Sequence, residues 1–168
     1  RNNPIQQWGN LLQSQAMVAL PLSLTCPIWA QNKYLLLALF ITIWVNDTGA
    51  YLVGSSTAKL PNGNHKMFPR VSPNKSWEGL IGGIVFALIC GYLWVRVGWI
   101  SSLAGGIMFA LVVSVFGTLG DLTESLMKRT IGVKDSGKFL PGHGGLLDRF
   151  DSILLAAPMV WVFLFLFV

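Results

Sequence analysis

The chain has 168 residues, of which 53% are hydrophobic and only 11% are charged. Soluble globular chains carry about a quarter charged residues, so this composition excludes an ordinary soluble domain. A chain this apolar and aperiodic is also not disordered, collagenous or a coiled coil. The two cysteines, Cys26 and Cys90, both lie in apolar stretches. A disulfide-stabilised mini-protein is therefore excluded, and we interpret both thiols as inert.

The first apolar stretch, residues 11–29, predicts only a weak membrane span. Gln13, Gln15, Pro21 and Pro27 interrupt it, so we expect a broken or interfacial helix here. The chain begins with Arg and lacks a basic segment followed by an apolar core, so no signal peptide is predicted. We expect the chain to begin within a longer protein.

Four further stretches are each long and apolar enough to predict a transmembrane helix, which needs about 20 residues. They are residues 34–53, 79–95, 97–120 and 152–168. The predicted fold class is therefore all-α: a polytopic integral membrane helix bundle with four to five transmembrane helices and two charged loops.

The charged residues lie mainly in two stretches, 59–78 and 121–151. Lys and Arg accumulate in short cytoplasmic loops, and the two helices between these stretches return the chain to the same side. Both charged loops are thus predicted to face the cytoplasm. The net charge of +5 at a membrane surface attracts anionic headgroups and soluble polyphosphates. We expect lipid and nucleotide as partners, and no nucleic acid, whose footprint lies on a soluble face.

A group of polar residues follows the third strong span. If that helix continues, Asp121, Glu124, Ser125 and Lys128 share one face. Two interpretations fit this pattern. Either the side chains line a site at the cytoplasmic boundary, or they form a solvated helix end with an ordinary i, i+4 pair between Glu124 and Lys128.

A glycine-rich run, residues 141–145, surrounds His143 and exposes backbone N–H groups, which suits the close approach of a phosphate. Asp148 and Asp151 follow at the mouth of the last apolar stretch. Carboxylates at a membrane edge are costly unless a cation lies between them. Mg²⁺ takes one or two carboxylates and leaves its other positions to waters and phosphates. Asp121, brought across from the other helix, would complete a metal–nucleotide site.

Asp47 lies inside the first strong span, where a lone aspartate costs about 2.5 to 3.5 kcal/mol. Two interpretations remain open. Either Asp47 faces the bundle interior with a partner, or the span ends at Val45, and Asn46 and Asp47 cap a following helix.

The first basic stretch, residues 66–83, contains Arg70 and Lys75, which are spaced to bind an anion. Ser76 is a suitable cap for the helix that follows. Helix capping together with ordinary positive-inside bias also explains most of this segment, so both interpretations remain.

Four motifs together resemble one family. Residues 125–151, S-L-M-K-R-x4-K-D-S-G-K-F-L-P-G-H-G-G-L-L-D-R-F-D, resemble the signature of the phosphatidate cytidylyltransferase (CDP-diacylglycerol synthase) family. W-x-N-D-T-G-A-Y at 44–51, V-S-P-N-K-S-W-E-G at 71–79 and G-D-L-T-E-S at 120–125 resemble the same family in the same order. The resemblance extends from about residue 33 to the end.

The resemblance implies a membrane enzyme that transfers the cytidylyl group of CTP to phosphatidate, giving CDP-diacylglycerol and pyrophosphate. It implies Mg²⁺, alone or with a second cation, held by Asp121 and Asp148 with Asp151 close by. The expected location is the inner, cytoplasmic membrane, with the active site on the cytoplasmic face. A homodimer is also implied.

Further residues are assigned roles by the same resemblance. Lys128, Arg129, Lys134 and Arg149 would offset charge on the phosphates, while His143 would donate a hydrogen bond or simply hold the glycine loop in shape. The substrate-binding candidates are Asp47, Arg70, Ser72, Lys75, Ser125, Lys134, Asp135, Gly144 and Gly145.

The predicted organisation is one membrane domain over residues 1–168, with 1–32 as the weak span and 33–168 as the catalytic part. Members of the family usually carry more N-terminal helices, so we expect an N-terminal truncation. The alternative functions are a CTP-dependent polyprenol or phytol kinase, and, from a different class, an ion-coupled transporter with Asp47 and Asp121 along its path. A transporter is disfavoured because the two charged loops share no sequence similarity.

Overall fold

The structure, a computed structural model, describes residues 3–61, 63–133, 136, 145 and 147–167. These residues form a bundle of helices together with one short β-hairpin. The all-α membrane bundle predicted from the sequence is thereby confirmed, and the hairpin is an addition to it.

The N-terminal region is a broken helical stretch, as expected from its glutamines and prolines. It consists of α1 (Pro4–Ser14), a π-helical turn (Gln15–Ala19), α2 (Leu20–Ser23) and α3 (Thr25–Gln31). Asn3 starts α1 by accepting a hydrogen bond from the Ile5 N–H, which satisfies one of the unpaired donors of the first turn. Although broken, the whole stretch Pro4–Gln31 is long and apolar enough to cross a membrane.

Three longer helices form the centre of the bundle and are also long and apolar enough to span a membrane. They are α4 (Lys33–Thr57), α5 (Trp77–Arg96) and α6 (Leu103–Thr130). The side chains of Asn32, Ser76 and Ser102 cap their first turns. The final helix, α7 (Ile153–Phe167), has 15 residues. At 1.5 Å per residue it is about 22 Å long, so the last predicted span is a helix shorter than a typical hydrocarbon core.

Helix α4 passes through Asn46 and Asp47 without interruption. The interpretation that the span ends at Val45 and that these two residues cap a new helix is therefore wrong. The physical reason is that the Asn46 side chain has a partner on another helix: its Oδ1 accepts a hydrogen bond from Ser114 Oγ. A side chain engaged in this way is not available to compete with the helix backbone.

Two short antiparallel strands follow α4, which the sequence analysis did not predict. Strand β1 (Lys66–Phe68) pairs with β2 (Ser72–Ser76), with Lys66 opposite Ser76. The hairpin is closed at its base, where the Trp77 N–H donates to the His65 carbonyl and His65 Nδ1 lies 2.6 Å from Glu78 Oε1. The first charged loop is therefore an ordered element with a fixed direction.

Glycines at the contact between α4 and α5 allow these two helices to pack closely. A Cβ at Gly82 would lie 2.5 Å from the Val53 side chain, and one at Gly49 would lie 2.7 Å from Phe86. Glycine at these positions therefore lets α4 and α5 approach closely. Helix α6 packs against both α5 and α7. This succession brings the start of α5, the end of α6 and the start of α7 to one end of the bundle.

Candidate active site

Three carboxylates converge at that end of the bundle. Asp121 and Glu124 lie near the end of α6, and Asp151 lies just before α7. One oxygen from each carboxylate lies within 4.8 Å of the others. Carboxylate oxygens are the ligands that Mg²⁺ and related hard cations prefer. We call these three residues the acid cluster.

Gly120 makes the convergence possible. A Cβ at this position would lie 2.5 Å from the Asp151 carbonyl oxygen and 3.1 Å from that of Ser152. Only a residue without a side chain lets α6 approach this segment so closely. The absence of a side chain at Gly120 thus positions Asp151 beside Asp121.

Glu124 is the member of the cluster that the sequence analysis did not include in its metal set. Its residue is only 3% exposed, and Oε2 lies 2.6 Å from Lys128 Nζ. This contact pairs Oε2 with the lysine, while the other carboxylate oxygen, Oε1, is buried and accepts no hydrogen bond within the described part of the chain. A buried carboxylate in this state is suited to a cation. The sequence signal was its position three residues after Asp121.

Lys128 connects the cluster to Asp148. Its Nζ lies 2.7 Å from Asp148 Oδ1 as well as 2.6 Å from Glu124 Oε2. With a side chain only 16% exposed, Lys128 does not belong to a solvated helix end, so that interpretation of the polar face is wrong. The lysine instead bridges two carboxylates.

Asp148 lies in a 3₁₀ turn, Leu147–Arg149, and has several donors. The Ser136 N–H and hydroxyl donate to Oδ2 at 3.0 and 2.9 Å, and the Gly145 N–H donates at 2.6 Å. Burial raises the pKa of Asp148, but the hydrogen bonds from Lys128, Gly145 and Ser136 outweigh burial and leave the pKa well below its ordinary value. The structure therefore places Asp148 beside the acid cluster, with a donor set of its own.

Asp151 has the opposite electrostatic environment. Burial, and then the nearby negative charge of Asp121, raise the pKa of Asp151 to about 6, although the Ser152 N–H donates to its Oδ1 at 2.6 Å. A cation held between Asp121 and Asp151 would offset this repulsion. The donor chemistry, the burial and the mutual repulsion of the cluster all fit a divalent metal ion.

The β-hairpin contributes a second lysine to the acid cluster, in addition to Lys128. Lys75 Nζ lies 2.7 Å from Asp121 Oδ2 and donates to the Thr118 carbonyl at 3.2 Å. Arg70 is exposed in the hairpin turn, so of the two predicted anion-binding residues it is Lys75 that the structure brings to the acid cluster.

Two cavities beside the cluster are lined by Asp121. The hairpin cavity, of about 360 Å³, is lined by β2, α4, α5 and α6 and includes Ser72 and Lys75. The acid cavity, of about 390 Å³, includes Asp148, Arg149 and Asp151. Asp47 and Asp121 line both cavities. These two carboxylates therefore stand where the cavities meet.

The remaining predicted site residues are distributed as follows. Ser125 Oγ donates to Asp121 Oδ1 at 3.3 Å, and Arg149 is exposed at the acid cavity. Arg129 instead lies against the hairpin turn, where its Nε donates to the Val71 carbonyl at 3.4 Å. Four further predicted residues lie outside the described part of the chain: Lys134, Asp135, His143 and Gly144.

Fold and site together define an integral membrane protein with a cluster of acidic side chains, the ligand type of a metal site, at one end of its helices. Residues 2–167 match the model of the cytidylyltransferase family. The chain therefore belongs to the cytidylyltransferase family.

Several curated relatives carry the name phosphatidate cytidylyltransferase. The chain is 47% identical over 128 residues to the one from Bacillus subtilis, covering 76% of this chain and 46% of that protein. It is 42% identical over 137 residues to the Haemophilus influenzae protein, covering 79% and 46%, and 41% identical over 136 residues to the Staphylococcus saprophyticus protein, covering 80% and 50%. The chain spans about half the length of these relatives.

Proposed function

We propose that this chain carries the catalytic site of a phosphatidate cytidylyltransferase, which forms CDP-diacylglycerol and pyrophosphate from CTP and phosphatidate. The observation that carries the proposal is the convergence of Asp121, Glu124 and Asp151 with a lysine on either side. Transfer between two phosphate groups needs positioning and charge neutralisation more than it needs covalent catalysis. The names of the similar proteins favour the same reaction.

The reaction requires two anionic groups to meet. A phosphate oxygen of phosphatidate attacks the α-phosphorus of CTP, and the bond from this phosphorus to the bridging β-phosphate oxygen breaks. The electron pair leaves with pyrophosphate. Mg²⁺, when bound, supplies charge stabilisation at the phosphates. The acid cluster is proposed to hold it, and Asp148 is retained as a further ligand candidate.

The two cavities favour a separate place for each substrate. Ser72 and Lys75 offer a hydroxyl and a cation to a phosphate in the hairpin cavity. Arg149 offers a cation in the acid cavity. Because Asp47 and Asp121 line both cavities, phosphates bound on the two sides would meet at the acid cluster.

The proposal extends to location and assembly. Lipid substrate reaches the site from the bilayer and CTP from the aqueous side, so the site should lie at a membrane surface. Basic residues concentrate in the stretches that build this end of the bundle, which favours the cytoplasmic face of the inner membrane. A homodimer is included as implied by the family resemblance.

The test uses the protein in vesicles that contain phosphatidate. With CTP labelled on its α-phosphate, we expect label in lipid together with release of pyrophosphate, both dependent on Mg²⁺. Transfer of label from the γ-phosphate with release of CDP would instead identify a lipid kinase. Absence of label in lipid with both α-labelled and γ-labelled CTP would reject the proposed function.

A further inference from the structure

Two uncharged polar residues, Asn46 on α4 and Ser114 on α6, lie buried where these helices pack against each other. Asn46 is 3% exposed and Ser114 is fully buried. The Ser114 hydroxyl donates to Asn46 Oδ1 at 2.5 Å. Polar side chains in the interior of a membrane bundle are expensive and therefore need partners.

The hydrogen bond from Ser114 gives the Asn46 amide a defined orientation. With Oδ1 directed at the hydroxyl, the amide nitrogen Nδ2 donates to Asp47 Oδ1 at 3.3 Å. The reverse orientation would direct the amide oxygen at a carboxylate, which is repulsive. The donor side of Asn46 is thus aimed at Asp47.

Packing by α5 prevents Asn46 from moving away. A Cβ at Gly83 would lie 2.8 Å from Asn46 Oδ1 and 2.9 Å from its carbonyl oxygen. The bare backbone of Gly83 therefore lies directly against the amide, and the three helices together leave Asn46 little freedom.

The same contact sets Asp47 relative to the acid cluster. Ser114 and Asp121 are seven residues apart on α6, which is two turns, so they lie on one face. A hydrogen bond from Ser114 to α4 therefore fixes α4 against the face that carries Asp121. Asp47 and Asp121 are also the two residues that line both cavities.

We infer that Asn46 and Ser114 are positioning residues that hold the Asp47 carboxylate toward the cation-binding acid cluster. The inference rests on the proposed function for the identity of the site, but its test needs no turnover. Residues that orient a group facing a metal typically alter metal affinity or activity by about 10- to 100-fold when changed.

The experiment measures Mn²⁺ binding to the full chain in vesicles by electron paramagnetic resonance of the free ion. Asp47→Asn is expected to weaken Mn²⁺ binding about 10-fold, and Ser114→Ala severalfold. In the double variant, Ser114→Ala should add nothing to Asp47→Asn, because its effect passes through Asp47. A structural defect would instead weaken binding in either background.

Thr42→Val is the matched control. Thr42 lies one turn before Asn46 on α4, and its Oγ1 accepts a buried interhelical hydrogen bond from Trp94 Nε1 at 2.9 Å. Loss of this hydrogen bond in Thr42→Val should leave Mn²⁺ binding unchanged. Equal binding by Ser114→Ala and wild type, multiplicative effects in the double variant, or no Mn²⁺ uptake by wild type would each overturn the inference. Normal Mn²⁺ binding without formation of labelled lipid would reject the proposed function alone.

Discussion

The two ends of this bundle are built from the same helices but differ in chemistry. At the end opposite the acid cluster, Trp99 stacks between Tyr34 and Trp94, with ring centroids 5.3 and 4.8 Å away. A cavity of about 590 Å³ opens there, with Trp99 and Phe163 in its wall; none of the described residues that line it is Asp, Glu, Lys or Arg. It is larger than the acid cavity, of about 390 Å³.

The difference shows that space alone does not define the site. At the aromatic end, the polar atom of Trp94 is satisfied by Thr42, and the rings gain by stacking. At the acid end, Oε1 of Glu124 is buried without a donor among the described residues, and Asp151 lies close to the like charge of Asp121. A cation therefore gains more electrostatic free energy at the acid end than in the larger cavity at the aromatic end.

Removing the charge of Asp121 should produce the largest effect. Asp121→Asn is expected to lower CDP-diacylglycerol formation by at least about 100-fold, because it removes a ligand candidate of the acid cluster and the partner of Lys75 at once. The measurement is label transfer from CTP in phosphatidate vesicles. Ser101→Ala, at the wall of the aromatic-end cavity, is the control and should retain wild-type activity. Comparable losses in both variants would contradict the assignment of chemistry to the acid end.

The next prediction separates the acid cluster from its neighbour. Glu124→Gln should weaken Mn²⁺ binding by about 10- to 100-fold, because an amide offers a metal no negative charge. Asp148→Asn should weaken it less, since Asp148 already has Lys128, Ser136 and Gly145 as donors. Mn²⁺ titration by electron paramagnetic resonance compares the two. A larger loss in Asp148→Asn would place Asp148, rather than Glu124, in the metal's coordination sphere.

A change at Gly120 should disturb the site through its backbone. Gly120→Ala pushes a methyl group against the Asp151 carbonyl oxygen, and we expect a loss of about 1–3 kcal/mol in the free energy of unfolding. Thermal unfolding in detergent gives the stability, and Mn²⁺ titration shows whether Asp151 has moved. Gly9→Ala is the matched control, since a Cβ there meets nothing within 4 Å and alanine favours helix. If Gly120→Ala is as stable as wild type, the backbone at Asp151 can shift away from the added methyl group at no cost, and close packing at Gly120 does not position Asp151.

The sequence was sufficient to predict the helices, because uncharged runs and charged interruptions follow directly from the bilayer as solvent. It also predicted that Asp121 meets Asp148 and Asp151 across two helices; the structure brings Asp151 into the acid cluster and pairs Asp148 with Lys128. It could not give the hairpin, since β1 and β2 are too short to show an alternating pattern and depend on contacts such as His65 with Glu78.

Glu124 shows a second kind of limit. Its spacing from Asp121 and Lys128 placed it correctly on a polar face, but an i, i+4 pair looks the same whether it is solvated or buried. What decides between the two is the packing of α7 against α6, a contact between residues far apart in the chain. The orientation of the Asn46 amide is likewise set by its hydrogen bond from Ser114, 68 residues away in the chain.

The smallest predicted effect lies at the aromatic end, where a substitution should lower the free energy of unfolding and leave metal binding and activity unchanged. Trp99→Leu keeps an apolar side chain but removes both stacking contacts, so we expect a loss of about 1 kcal/mol in the free energy of unfolding. Mn²⁺ affinity and label transfer should match wild type, because Trp99 lines neither the acid cavity nor the hairpin cavity. Trp8→Leu, at an exposed position on α1, controls for the loss of a tryptophan as such. A fall in Mn²⁺ affinity in Trp99→Leu would mean that the two ends are energetically coupled through α5 and α6, and that the contrast between them is one of composition only.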